Sequence, residues 1–180
     1  MQKCPVQLRH CCPNTPIYAV AFDYLKYSTL SDIEKAYIDK NVVIFSNLMG
    51  PILAGDMGLP DYKLKQNEKI GNFELEKFYN EKFSKALDDY LKDDDVIDLR
   101  AGFYEKFYKI NKPYTTMKFI KDGKVVSHWA KAYRGIILRL LAQNNIQSID
   151  ELMNMEIDNL SIEEIKKQKL QTEIIYNIIK

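Results

Sequence analysis

Four residues in one fifteen-residue stretch have the types and spacing to hold an anion. Lys131, Arg134 and Arg139 supply three cations, and Gly135 lies among them. Ammonium and guanidinium groups grip phosphate oxygens, arginine in a two-pronged fashion. A glycine between them leaves room for a backbone or a ligand to approach, at about 1 kcal/mol of helix stability relative to alanine. The chemistry on offer is phosphate recognition, in a nucleic acid or in a small phosphorylated or nucleotide ligand. The plainer alternative is that Gly135 lets a neighbouring element pack closely and that the cations are solvated or paired. Other chemistries find less support. The two histidines, His10 and His128, stand apart from any nucleophile motif, so no triad is expected and a non-enzymatic role is favoured. Cys4, His10, Cys11 and Cys12 lack the paired C-x2-C spacing of structural zinc sites, so neither a metal nor another cofactor is expected.

The element that positions the four residues is a helix. Trp129, Tyr133, Ile136, Ile137, Leu140 and Leu141 recur at i, i+3, i+4 and i+7, the stripe of an amphipathic helix, with the cations on its other side. Asn144-Asn145 ends it. Ahead of it, Tyr114 to Ile120, Asp122-Gly123 and Lys124 to Ser127 predict a β-hairpin with an Asp-Gly turn. The hairpin adds Lys118, Lys121 and Lys124. Residues 100–149 hold ten cations and two anions, 10 − 2 = +8, in a chain whose net charge is +1. Phe103, Tyr104, Phe107, Tyr108, Tyr114 and Phe119 interleave with those cations, so rings and charges could share one surface.

The rest of the chain predicts the frame. Val42 to Phe45 and Val96 to Leu99 are continuous apolar runs, expected as central buried strands. Further strands are expected at Ile17 to Tyr24, at Tyr62 to Lys65 on an edge, and at Ile174 to Ile179. Capping boxes at Ser31, Ser148 and Ser161 predict helices to about Asp39, to Met155 and to Gln171. Two more helices are expected over Phe73 to Leu91 and Phe103 to Tyr108. Ser46 to Pro60 reads as a glycine-rich turn. Asp98, a carboxylate within a buried strand, needs a partner, expected from a cation of the basic helix. The expected fold is mixed α/β (α+β): a central mixed sheet, flanking helices, and a hairpin feeding the basic helix. Residues 1–16, with three prolines, are expected as an irregular or disordered tail before a single domain over 17–180. No run of eighteen apolar residues suggests a membrane span, and three cysteines make no disulfide framework, which fits a reducing cytoplasm.

Three segments resemble the YaaA family of bacterial peroxide-stress proteins. Ala130, Lys131, Arg134, Gly135 and Arg139 follow its A-K-x-x-R-G-x-x-x-R signature. Phe45 to Gly50, with Asp56, Pro60, Tyr62, Lys63 and Leu64, is similar to its L-S-G-L-Y-G…D…P-Y-R-L. Val96 to Leu99 with Tyr104, Glu105 and Lys106 is similar to its V-I-N-L…Y-F-K. The family's N-terminal S-P-A-K strand and loop has no counterpart, so the resemblance implies an N-terminally short member. It also implies a cytoplasmic role in surviving peroxide: binding duplex or distorted DNA in a basic cleft and limiting iron-driven damage. The expected DNA- or phosphate-binding residues are Lys131, Arg134, Gly135 and Arg139, with Lys118, Lys63, Tyr62 and Lys106. Asp98, Ser46, Gly50 and Asp56 are expected to support them.

Overall fold

Alternating side chains of one short strand face two separate hydrophobic cores, and the fold is built around that division. A computed structural model describes residues 4–6, 20–56, 64, 66–67 and 70–179. Strand β2 (Val42–Ser46) is buried along its whole length. Val42 and Ile44 belong to one core and Val43 and Phe45 to the other. Successive strand residues point to opposite faces, so a strand covered on both must be apolar throughout. β2 lies centrally in a three-stranded sheet, between β1 (Cys4–Val6), which is parallel to it, and β3 (Gly50–Leu53), which is antiparallel.

The second sheet runs β4 (Ile97–Asp98), β5 (Tyr114–Lys121), β8 (Gln171–Ile178), β7 (Leu160–Gln168), with β6 (Lys124–Val125) paired to β5. The mixed α/β class is as expected, but the strands divide between two sheets. β4 is buried, with Val96 in one core and Ile97 and Leu99 in the other. It ends the hydrogen-bonded path of its sheet, and β1 of the smaller sheet lies beside it. Its two faces are covered by the two cores.

Local signals explain most helices. Ser31 caps α2 (Asp32–Asn41): its hydroxyl accepts from the Glu34 amide at 3.4 Å, and the Glu34 carboxylate accepts from the Ser31 amide at 2.6 Å. Ser148 caps α5 (Ile149–Asn154), with Glu151 reaching back to the Gln147 amide. Helix α3 (Leu75–Leu91), the short 3-10 turn Gly102–Lys106, the β5–β6 hairpin and α4 (Ser127–Gln143) form where expected. Among the described residues no helix is long and apolar enough to cross a membrane.

Other expectations fail in whole or in part. Ser161 opens no helix, because that segment is strand β7. A bulge between Ile162 and Glu164 puts Ile162 opposite Tyr176 and Ile165 opposite Ile174. Residues three apart thus share a strand face and imitate a helical stripe. Val20–Leu25 is helix α1, not strand; burial of Ala21, Phe22 and Leu25 overrides its strand-like composition. The turn expected over Ser46 to Pro60 contains β3. Of the expected tail, residues 4–6 form β1 and the others lie outside the described residues, as do Tyr62, Lys63 and Lys65 of the expected edge strand. Leu64 belongs to no strand.

Helix α4 is covered on two sides. Tyr133, Ile137, Leu138 and Leu141 join the core with Met117, Phe119, Ile174 and Tyr176 of the sheet, and Phe119 and Tyr133 stack with ring centroids 5.2 Å apart. On the other side α1 crosses at Gly135, where a Cβ would stand 1.9 Å from the Ala21 carbonyl oxygen. The Arg139 Nη1 group donates to the carbonyls of Leu25 at 2.9 Å and Lys26 at 3.3 Å and to the Thr29 hydroxyl at 3.0 Å. It thereby supplies a donor to the Leu25 carbonyl at the end of α1, whereas the Lys26 carbonyl also accepts from the Thr29 amide and hydroxyl. Two outcomes follow. Gly135→Ala lowers stability by about 2 kcal/mol through overpacking, despite alanine's helix propensity, or about 4–8 °C in Tm for a chain this size. Arg139→Met keeps the apolar stem but removes the donor from the part-buried Leu25 carbonyl, so a urea titration shows a lower midpoint with unchanged slope, by about 1 kcal/mol.

Candidate functional site

The cations of α4 do not form one surface. At about 100° per residue, Arg134 falls between Leu138 and Leu141 on the wheel, and both leucines are fully buried. Arg134 is accordingly half-buried, on the core side and not on the polar side. Gly135 and Arg139 face α1. The opening expected at Gly135 is filled by the α1 backbone, so the close-packing alternative holds there. Lys131 alone of the three is exposed. It shares a wheel angle with buried Leu138 and Ala142, so its position along the axis, not its angle, keeps it in water.

Burial pulls the Arg134 guanidinium below its usual pKa, and the Asp98 carboxylate pushes the other way. An arginine stays charged in a protein. Arg134 is therefore a cation partly withdrawn from water, and among the described residues it makes no hydrogen bond or ion pair.

Asp98 takes a different partner from the one expected. It pairs with Arg100, two residues along its own segment, and not with the basic helix. Arg100 Nε donates to Oδ1 at 2.8 Å, Nη2 to Oδ2 at 2.9 Å, and the Arg100 amide to Oδ1 at 3.0 Å. Nη1 donates to the carbonyls of Tyr108 at 3.0 Å and Tyr104 at 3.4 Å. The guanidinium lies 4.5 Å from the Phe45 ring centroid and 5.7 Å from that of Tyr108. The reason is local: an arginine just past a buried strand end reaches the strand's carboxylate without crossing the core. That adjacency, Asp98-Leu99-Arg100, was the signal in the sequence.

The Ser46–Gly50 turn joins this cluster. The Tyr104 hydroxyl donates to Asn47 Oδ1 at 2.6 Å, and Asn47 Nδ2 donates to the Leu64 carbonyl at 2.9 Å. Ser46 Oγ accepts from the amides of Leu48 at 3.2 Å and Met49 at 3.0 Å. Gly50 has φ of 74°, and a Cβ there would meet the Tyr79 ring at 2.5 Å; the Tyr79 hydroxyl donates to the Leu48 carbonyl. Ser46, Gly50 and Asp98 therefore hold the frame, as does Asp56, whose carboxylate accepts from the Leu53 amide at 3.2 Å.

The remaining cations are scattered. Lys106 reaches Asn67 Oδ1 at 3.5 Å and sits 5.2 Å from the Phe103 centroid. Lys118 alternates with Phe119, which stacks on α4, and so faces away from α4. Tyr62 and Lys63 lie outside the described residues. Four of the six rings expected to share the cationic surface do not: Tyr104, Phe107, Tyr108 and Phe119 are buried and pack on one another or on core rings, while Phe103, beside Lys106, and Tyr114 are partly exposed. Trp129 is the large exposed ring of α4, at 43%. Lys124 and Lys131, which flank it in the sequence, are exposed, and no ion pair engages either among the described residues. Among those residues, no group of three His, Cys, Asp or Glu side chains converges as a metal site.

Comparison with known proteins places this arrangement. An uncharacterised protein of Campylobacter jejuni is 50% identical over 160 residues, which cover 89% of this chain and 65% of that one. A UPF0246 protein of Fusobacterium nucleatum is 28% identical over 151 residues, covering 81% and 60%. One of Alteromonas mediterranea is 30% identical over 165 residues, covering 83% and 61%. The chain thus spans roughly three-fifths of the length of the curated relatives it matches. Residues 18–166 match the family model described as peroxide stress protein YaaA, and the chain belongs to that family.

Proposed function

We propose that this protein acts in the peroxide-stress response by binding duplex or distorted DNA and so limiting iron-driven damage to it. The observation that carries the reading is the run from the β5–β6 hairpin into α4. Lys124, Trp129 and Lys131 are exposed there, and the two lysines have no acidic partner among the described residues. Unpaired lysines neutralise backbone phosphates and release counterions. An exposed indole offers a face on which an unstacked base can lie. The two chemistries together suit a helix that is bent, nicked or partly opened. Arg139 and Gly135, which maintain the α1–α4 crossing, take no part.

A second reading has its own observation. Arg134 is a half-buried guanidinium without a hydrogen-bond acceptor among the described residues, and Asp98 is already committed to Arg100. One such group suits a single phosphate of a small nucleotide-like ligand, bound as an effector or as a substrate.

Salt separates the two. Fluorescence anisotropy with duplex DNA should give an affinity that falls steeply with ionic strength. The Lys124→Ala, Lys131→Ala double variant should weaken binding and flatten the log–log salt slope by about two units, one per lost phosphate contact. Trp129→Ala should lower the preference for distorted over intact duplex. Arg134→Ala should leave both nearly unchanged. If instead Arg134→Ala abolishes binding of a mononucleotide while the lysine variant does not alter DNA affinity, the small-ligand reading holds and the DNA reading is sunk.

A further inference from the structure

The outermost strand of the larger sheet carries a sequence that matches itself in reverse. Strand β7 ends the order β4-β5-β8-β7, its inner edge paired with β8 from Leu160 to Gln168. No strand covers its outer edge among the described residues, and seven of its nine residues, Ile162 to Gln168, are exposed. A free edge of this length presents unpaired amides and carbonyls, which proteins usually protect with bulges and lysines. β7 has both, a bulge beside Glu163 and the pair Lys166-Lys167. The lysines, however, follow an equal number of acids. The run is Glu163-Glu164-Ile165-Lys166-Lys167, with opposite charges placed symmetrically about Ile165.

We propose that β7 is a self-association surface, through which two copies of this chain join edge to edge and antiparallel. With a two-fold axis at Ile165, Glu164 faces the second copy's Lys166 and Glu163 faces its Lys167, and the symmetry repeats both pairs. Ile165 meets its own copy. In the opposite orientation, parallel and in register, acids would face acids and lysines lysines, so the charges select the antiparallel form. The bulge serves this arrangement. It turns Ile162 and Ile165 to the face of Tyr176 and Ile174, where they remain 42% and 43% exposed. Joining two edges brings Ile165 of each copy together and sets Ile162 opposite the copy's Gln168. A lysine-protected edge repels its copy, whereas this one complements it. Such an interface is isologous and closed, so association stops at two. Glu164 already contacts Lys166 within the strand at 3.2 Å, and Lys166 lies opposite Glu173 on β8. The side chains are thus held on the face where a second copy would meet them.

Light scattering and sedimentation of the full chain over a range of concentrations test this. The wild type should have the mass of two chains at its upper concentrations. The variant Lys166→Glu, Lys167→Glu and the variant Glu163→Lys, Glu164→Lys should each have the mass of one chain. Mixed, the two should recover a two-chain species containing one of each, seen by native mass spectrometry. Melts followed by circular dichroism check that both variants fold. Should either fail to fold, the fourfold swap of all four charges decides, because it is again self-complementary and should associate like the wild type. A single-chain wild type at every concentration overturns the proposal. So does persistence of the dimer in the double variants, or failure of the mixture to pair.

Discussion

The buried pair between Asp98 and Arg100 is the contact on which the neighbourhood of the site depends. Taking two charges out of water is costly, and the Coulomb gain offsets it only when every donor finds an acceptor. Arg100 comes close to that demand, with four of its five side-chain N–H groups engaged. Nε and Nη2 engage the carboxylate, Nη1 engages two main-chain carbonyls, and the flat faces lie against Phe45 and Tyr108. Those carbonyls belong to the 3-10 turn and the residues just after it. The pair therefore fixes how residues 101–108 fold back, and with them Tyr104, Phe107 and Tyr108 of the second core. Tyr104 then bonds Asn47, which ties together two segments 57 positions apart. Removing one partner of such a pair leaves an uncompensated buried charge, worth about 3–5 kcal/mol.

Helix α4 shows what happens when a helix has neighbours on two sides. A surface helix has one apolar stripe, and its cations are free. α4 is wedged between α1 and the sheet, so its small residues and its arginines become packing groups. Gly135 admits the Ala21 backbone, Arg139 caps α1, and Arg134 is drawn toward the core. Freedom to meet a ligand is left to residues near the helix start and to the hairpin ahead of it.

That geometry marks the limit of what was legible from residues alone. Short-range signals read correctly: the box at Ser31, the cap at Ser148, the Asp-Gly hairpin, and the apolar run of β2. Each depends on contacts within a few residues. The box at Ser161 failed because its three-residue spacing also arises from a bulged strand, and only the pairing with β8 distinguishes the two. The wheel of α4 was right about the helix and wrong about its faces, since one apolar stripe was visible and the α1 crossing was not. Most of the motif positions described serve the frame: Ser46 and Gly50 shape a turn, and Asp98 holds Arg100. Tyr62 and Lys63 lie outside the described residues.

Charge arithmetic distinguishes Arg134 from these structural cations. Arg139 faces carbonyl dipoles and a hydroxyl at a partly wet helix end. Arg100 has a whole carboxylate to itself. Arg134 has only the far field of that same carboxylate, which already faces Arg100. The three groups sum to −1 + 1 + 1 = +1, held where burial weakens solvation. Fields are felt more strongly there than at an exposed lysine. An excess positive charge in such a place is poorly compensated by water at a distance and well compensated by an anion in contact. The exposed lysines are suited to many weak, salt-sensitive phosphate contacts, and Arg134 to one strong contact that salt screens little.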